Sequence, residues 1–164
     1  MTARTVLLFC SVLSTGLMAG LFFGWMVSVI PGTARISDHN YVATMQSINR
    51  AIVNPGFVIP FIIPPLVLGG TAIMYWRVGE RRRSMWLAVG AVSYLLGVLG
   101  VTMGGNVPLN NALDAFDLQA ADAQTLAARR ATYEGPWNRW HAVRTVASVF
   151  SLACAAAATL SVNE

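Results

Sequence analysis

Long uncharged apolar runs alternate with short polar connections along this chain, and the lengths of both fix the first reading. Residues 6–30 are apolar apart from Ser, Thr and Gly and stop at Pro31-Gly32. A secretory leader has an apolar centre of roughly 7–15 residues, so this longer run predicts a spanning helix. Residues 57–76 form a second run whose first half carries Pro60, Pro64 and Pro65. Each proline removes a backbone donor, which predicts a kinked or late-starting helix. Residues 84–105 and 138–160 form the third and fourth runs, the last rich in Ala and Ser. About 20 apolar residues cross a hydrocarbon core, so four spans are expected.

The two longer connections carry helical patterns of their own. Ser37-Asp38 caps a helix over 38–53, in which Tyr41, Met45, Ile48 and Ile52 form an apolar stripe beside Gln46, Asn49 and Arg50. It is too short and too polar to span, and Asn54-Pro55-Gly56 stops it, so it is expected at the membrane interface. Residues 109–134 repeat Leu109, Leu113, Phe116 and Ala120, with a break expected between Asp117 and Asp122 and an end at Gly135-Pro136. This segment reads as a solvated or interfacial cap. The expectation is an all-α integral membrane four-helix bundle, one domain over residues 1–164, with interfacial helices in the two outward-facing connections.

Small residues refine the packing. Gly16, Gly20 and Gly24 recur every four residues, while Gly90, Ser93, Gly97, Gly100 and Gly104 step by three and four. Both are seams along which membrane helices approach closely, inside a compact bundle or in a homo-oligomer.

Composition changes the picture in three ways. Of 164 residues, 55% are apolar and 11% charged, where a soluble domain carries about 25% charged residues. All 11 basic residues are arginine, and they flank apolar runs instead of lining a polar face, which argues against nucleic acid as a partner. Arg77, Arg81, Arg82 and Arg83 crowd one short loop, which predicts a cytoplasmic loop; Arg4 agrees, so both termini are expected in the cytoplasm, in a bacterial inner or plasma membrane. Cys10 and Cys154 lie within apolar runs without a Cys-x-x-Cys pair and read as packing residues. His39 and His141 are the only histidines, in no metal-ligand spacing, so no metal is expected. The first three spans hold no ionisable midplane group of the kind a transporter uses.

Topology alone gathers Gln46, Asn49, Asn106, Asn110, His141 and Arg144 at the outward end. On a helix, Trp137, Trp140, His141 and Arg144 share one stripe. A few placed polar groups between apolar helices make a ligand pocket. Plainer roles compete: belt aromatics for Trp137 and Trp140, a snorkelling Arg144, a packing His141, capping asparagines at 106 and 110.

The chain resembles the anthrone oxygenase family, small four-span membrane proteins. The resemblance rests on Ala19-Gly20 with Gly24 and Pro31; Met45-Gln46 with Asn49; Asn54-Pro55 with Phe57; Asn106, Pro108-Leu109-Asn110 and Leu113; and Trp137, His141 and Arg144. It implies oxidation of an anthrone-type polycyclic phenol to a quinone by dioxygen, with no metal, flavin or other cofactor. It further implies His141 as base, and Arg144 with Asn106 or Asn110 as the holders of the enolate and peroxide oxygens. Trp137 and Trp140 would stack on the polycycle, with Gln46 and Asn49 on its peri-hydroxyls. The alternative is a non-catalytic membrane protein that binds a lipid, a quinone or a partner subunit.

Overall fold

In a computed structural model describing residues 2–161, the chain is five helices: α1 (Ala3–Thr33), α2 (Asp38–Ala51), α3 (Pro55–Arg77), α4 (Arg81–Asp114) and α5 (Ala123–Leu160). All but α2 are long and apolar enough to cross a membrane. They pack in the cyclic order α1, α3, α4, α5, back to α1, while α2 lies across α5 and the end of α4. That is the four-helix membrane bundle the hydropathy predicts, with α2 as its cap.

Local chemistry sets the helix starts. Ser37 caps α2 by accepting from Asn40 N; Asn54 accepts from Phe57 N with Pro55 in the first turn of α3; Asp122 Oδ1 accepts from Thr125 N at the head of α5. The α3–α4 turn needs a positive φ, supplied by Gly79 at 84°. At the same end Arg83 Nε donates to the Ala158 and Ser161 carbonyls, closing the last turn of α5.

The prolines of α3 neither delay its start nor break it. Pro65 has no N–H to offer the Phe61 carbonyl, and the hydroxyl of Tyr94 on α4 donates there instead at 3.0 Å. This bolt sits in the middle of three buried clusters, with Met18, Phe22, Phe61, Tyr94 and Val98. A second, around Leu68, Leu87 and Ala155, fills the Arg-loop end. The third, around Tyr41, Met45, Leu113, Tyr133 and Trp137, seats α2. Burial pushes the Tyr41 phenol above its ordinary value, and the Arg130 guanidinium lies over its ring at 4.5 Å.

Three elements depart from the hydropathy pattern. The first span continues through Pro31-Gly32 to Thr33 by way of a π turn at Trp25–Val29. The third does not end near 105 but runs to Asp114, through π turns at Leu95–Gly100 and Thr102–Asn106. The fourth starts at Ala123, so Gly135-Pro136 lies inside a helix instead of ending one. Tertiary contact overrides the local breaker: the turns on either side are held by Tyr133 and Trp137, both bonded to Asn110. The cap over 109–134 therefore divides between two spans, joined by the non-helical stretch 115–122 that holds the break expected between Asp117 and Asp122.

The π turns also move the glycine seam. A Cβ on Gly90 would lie 3.1 Å from Cys154 Cβ, and one on Gly97 only 2.5 Å from Ala147 Cβ, so α4 and α5 touch closely there. Seven residues on, Gly104 has nothing within 4 Å, while a Cβ on Gly105 would meet the Trp140 ring at 2.7 Å. A π turn inserts one residue into the helical repeat, which turns Gly105 toward α5 in place of Gly104. Gly16 meets only Leu152 at 3.7 Å, and Gly20 and Gly24 have nothing within 4 Å.

Candidate functional site

At the end of the bundle away from the Arg77–Arg83 loop, the spans and α2 enclose a cavity of about 840 Å³. Its wall is apolar, built from Phe22 and Trp25 of α1, Phe57 and Phe61 of α3, and Leu99 and Met103 of α4. Polar groups reach it from three helices: Asn49 and Arg50 of α2, Thr102, Asn110 and Asp114 of α4, and His141 and Arg144 of α5.

Arg144 is the centre of this wall. It is 8% exposed, and no carboxylate pairs with it among the described residues. Its guanidinium lies 4.7 Å from the Phe22 ring centroid and 5.1 Å from that of Trp137, so aromatic faces supply part of the missing negative potential. Nε and one terminal nitrogen donate to His141 Nδ1 at 3.1 and 2.9 Å, and the other terminal nitrogen reaches Thr102 Oγ1 at 3.4 Å. A guanidinium has five N–H groups; three are used, and two remain for a ligand.

The partners fix the state of His141. Arginine only donates, so Nδ1 is the acceptor and the ring proton sits on Nε2, which donates to the Phe22 carbonyl at 3.0 Å. The imidazole is neutral, stacked on Trp137 at 5.1 Å and 7°. Both ring nitrogens are engaged in this state. A base would need the lone pair that Arg144 holds.

Beside them runs a chain of amides and aromatics. Asn49 Nδ2 donates to the Tyr133 hydroxyl at 3.0 Å; that hydroxyl donates to Asn110 Oδ1 at 2.9 Å, which also accepts from Trp137 Nε1 at 2.8 Å. The far ends, Asn49 Oδ1 and Asn110 Nδ2, make no protein hydrogen bond among the described residues and belong to cavity-lining side chains. The wall thus offers one acceptor and one amide donor besides the two free N–H groups of Arg144.

Of the eight residues that the sequence pattern singles out, the structure brings His141, Arg144, Asn110, Trp137 and Asn49 to the cavity. The other three lie elsewhere. Trp140 packs outside against Gly105 and is 43% exposed. Gln46 spends its amide on the Leu113 and Phe116 carbonyls at 2.8 and 2.9 Å, which closes the end of α4. Asn106 is buried between α4 and α5, donating to the Trp137 carbonyl at 3.2 Å while its Oδ1 has no partner among the described residues. Thr102, Tyr133 and Phe22 were not legible as site residues. Thr102 sits in an apolar run that the π turns re-aim, Tyr133 lies before the breaker that reads as a helix end, and Phe22 acts through its carbonyl. Among the described residues, no three His, Cys, Asp or Glu side chains gather as a metal set.

A family model described as anthrone oxygenase matches residues 57–154, more than half of the chain. No curated protein and no solved structure matches.

Proposed function

Because the chain belongs to the anthrone oxygenase family, we propose that the Arg144 cavity takes an anthrone-type polycyclic phenol and oxidises it to a quinone with dioxygen. The observation that supports this most is the buried guanidinium without a counter-ion, on an apolar wall that has room for a polycycle. Burying an unpaired cation costs several kcal/mol; an anion that forms during the reaction recovers it at the right moment.

The steps follow from that. An anthrone loses its benzylic proton to give an anion whose charge rests on the ring oxygen. Arg144 holds that oxygen, with Asn110 Nδ2 as second donor, and Asn49 Oδ1 accepts from a peri-hydroxyl. The proton passes to His141 Nδ1, whose lone pair is released as the guanidinium turns toward the substrate oxygen. The electron-rich anion gives one electron to dioxygen, the radical pair joins through a C–O bond, and the peroxide takes a proton. Loss of the second benzylic proton, with departure of hydroxide that leaves as water, forms the quinone carbonyl. One dioxygen is consumed and one water released. We place the arginine loop in the cytoplasm, so both termini are cytoplasmic and the cavity lies in the outer leaflet.

A second reading is a non-catalytic binder of a lipid or quinone, and the double engagement of His141 favours it. Oxygen uptake by purified protein given 1,8-dihydroxyanthrone separates the two. Oxygenation predicts stoichiometric uptake that falls in both His141→Ala and Arg144→Gln; wild-type rates in both remove this site, and binding without uptake leaves the binder.

A further inference from the structure

The cavity has two kinds of edge. On the polar side the Arg50–Asp114 ion pair joins α2 to α4 across its rim, and both side chains line it. On the other side it is lined by Ile62 of α3 and Met103 of α4, which are 45% and 63% exposed against 41% for Leu21 of α1. Both belong to helices that cross the membrane, and Ile62 lies about 10 Å along its span from Pro55. A residue that lines the hollow and also faces out of a span marks an opening to hydrocarbon.

The helix packing accounts for the gap. α3 packs along α4 mainly over Arg81–Tyr94, where Tyr94 bonds the Phe61 carbonyl, and far less along the following π turns, where Val98 still shares a cluster with Phe61. Those two turns, Leu95–Gly100 and Thr102–Asn106, carry α4 on against α5 instead. Pro60 lies between the bolt and the start of α3 and takes away another helical donor there. The outer end of α3 is thus pinned on one side only.

The geometry points to a lateral portal between Ile62 and Met103, through which a membrane-dissolved polycyclic phenol reaches Arg144 from the bilayer. The occupant follows from the charge and the wall together: a flat apolar body that partitions into lipid, bearing one acidic oxygen for the two free guanidinium N–H groups. This rests on the reading of the Arg144 cavity as a ligand site, and not on oxygenation.

The test uses full-length protein in phosphatidylcholine nanodiscs and 1,8-dihydroxyanthraquinone as a probe that does not turn over, followed by quenching of tryptophan fluorescence in stopped flow. Ile62→Phe and Met103→Phe narrow the portal on a lipid-facing surface that tolerates them. Each is expected to slow association at least tenfold and to slow dissociation with it, as a gate does. Met103→Ala widens the portal and is expected to speed both. Association at the wild-type rate in both phenylalanine variants overturns the portal, as does acceleration by Asp114→Ala with the phenylalanine variants silent, which puts the entrance at the polar rim. Wild-type affinity in Arg144→Gln would instead sink the ligand site itself, a separate failure.

Discussion

Removing the Tyr94 hydroxyl tests how the cavity end is held, because that hydroxyl serves the Phe61 carbonyl that Pro65 leaves without a helical donor. In Tyr94→Phe the Phe61 carbonyl loses its donor, and Pro65 has no N–H to take its place. An orphaned buried carbonyl costs about 1–3 kcal/mol, while interhelical hydrogen bonds in membranes are worth about 0.6–1.7 kcal/mol. The two ranges together put the loss at about 1–2 kcal/mol. Pro65→Ala restores a helical N–H to the same carbonyl, so Tyr94→Phe in that background should cost close to nothing. A double-mutant cycle by reversible unfolding in detergent reads the coupling directly. Equal costs in the two backgrounds, within about 0.3 kcal/mol, would refute the idea that the tyrosine serves the carbonyl that the proline vacates.

Further outcomes follow from the same geometry. Arg144→Gln should lower anthrone oxidation by about 10²–10³-fold, and His141→Asn, which keeps an acceptor for Arg144 but no base, should fall nearly as far as His141→Ala; recovery in the asparagine variant, measured by oxygen uptake, would make His141 a positioning residue. Asn110→Leu should abolish most turnover, whereas Asn106→Leu, off the cavity, should leave quinone formation within a few-fold of wild type. Gly97→Ala should destabilise by about 1–3 kcal/mol in thermal unfolding, since its Cβ would sit 2.5 Å from that of Ala147, while Gly104→Ala, with nothing within 4 Å, should be neutral. The hydrogen bonds from Thr125, backbone first, hold the Asp122 carboxyl below its ordinary value. Its contribution to the head of α5 is therefore full above the unfolded carboxylate range, near pH 4, and is lost as pH falls through the lower folded value; amide exchange at Thr125 should quicken there in wild type but not in Asp122→Asn.

Run lengths and loop chemistry determined four spans, a separate short α2 and the arginine-rich turn, because a bilayer demands about 20 apolar residues and leaves the backbone no other way to satisfy itself. They also placed His141, Arg144, Asn110, Trp137 and Asn49 at one level, since topology alone stacks residues of equal depth. What sequence periodicity missed comes from the π turns and from Pro136. One added residue in a helical repeat swings every later side chain of that helix round the axis, which exchanges Gly104 for Gly105 as the glycine that faces Trp140. Whether a proline breaks a helix depends on what holds the turns beside it, and here Asn110 on another span does so through Tyr133 and Trp137. The thinner packing between α3 and the outer part of α4 likewise belongs to no single segment. It exists because Tyr94 pins the two helices at one depth and the π turns carry α4 away beyond it, a relation between spans that only the tertiary structure decides.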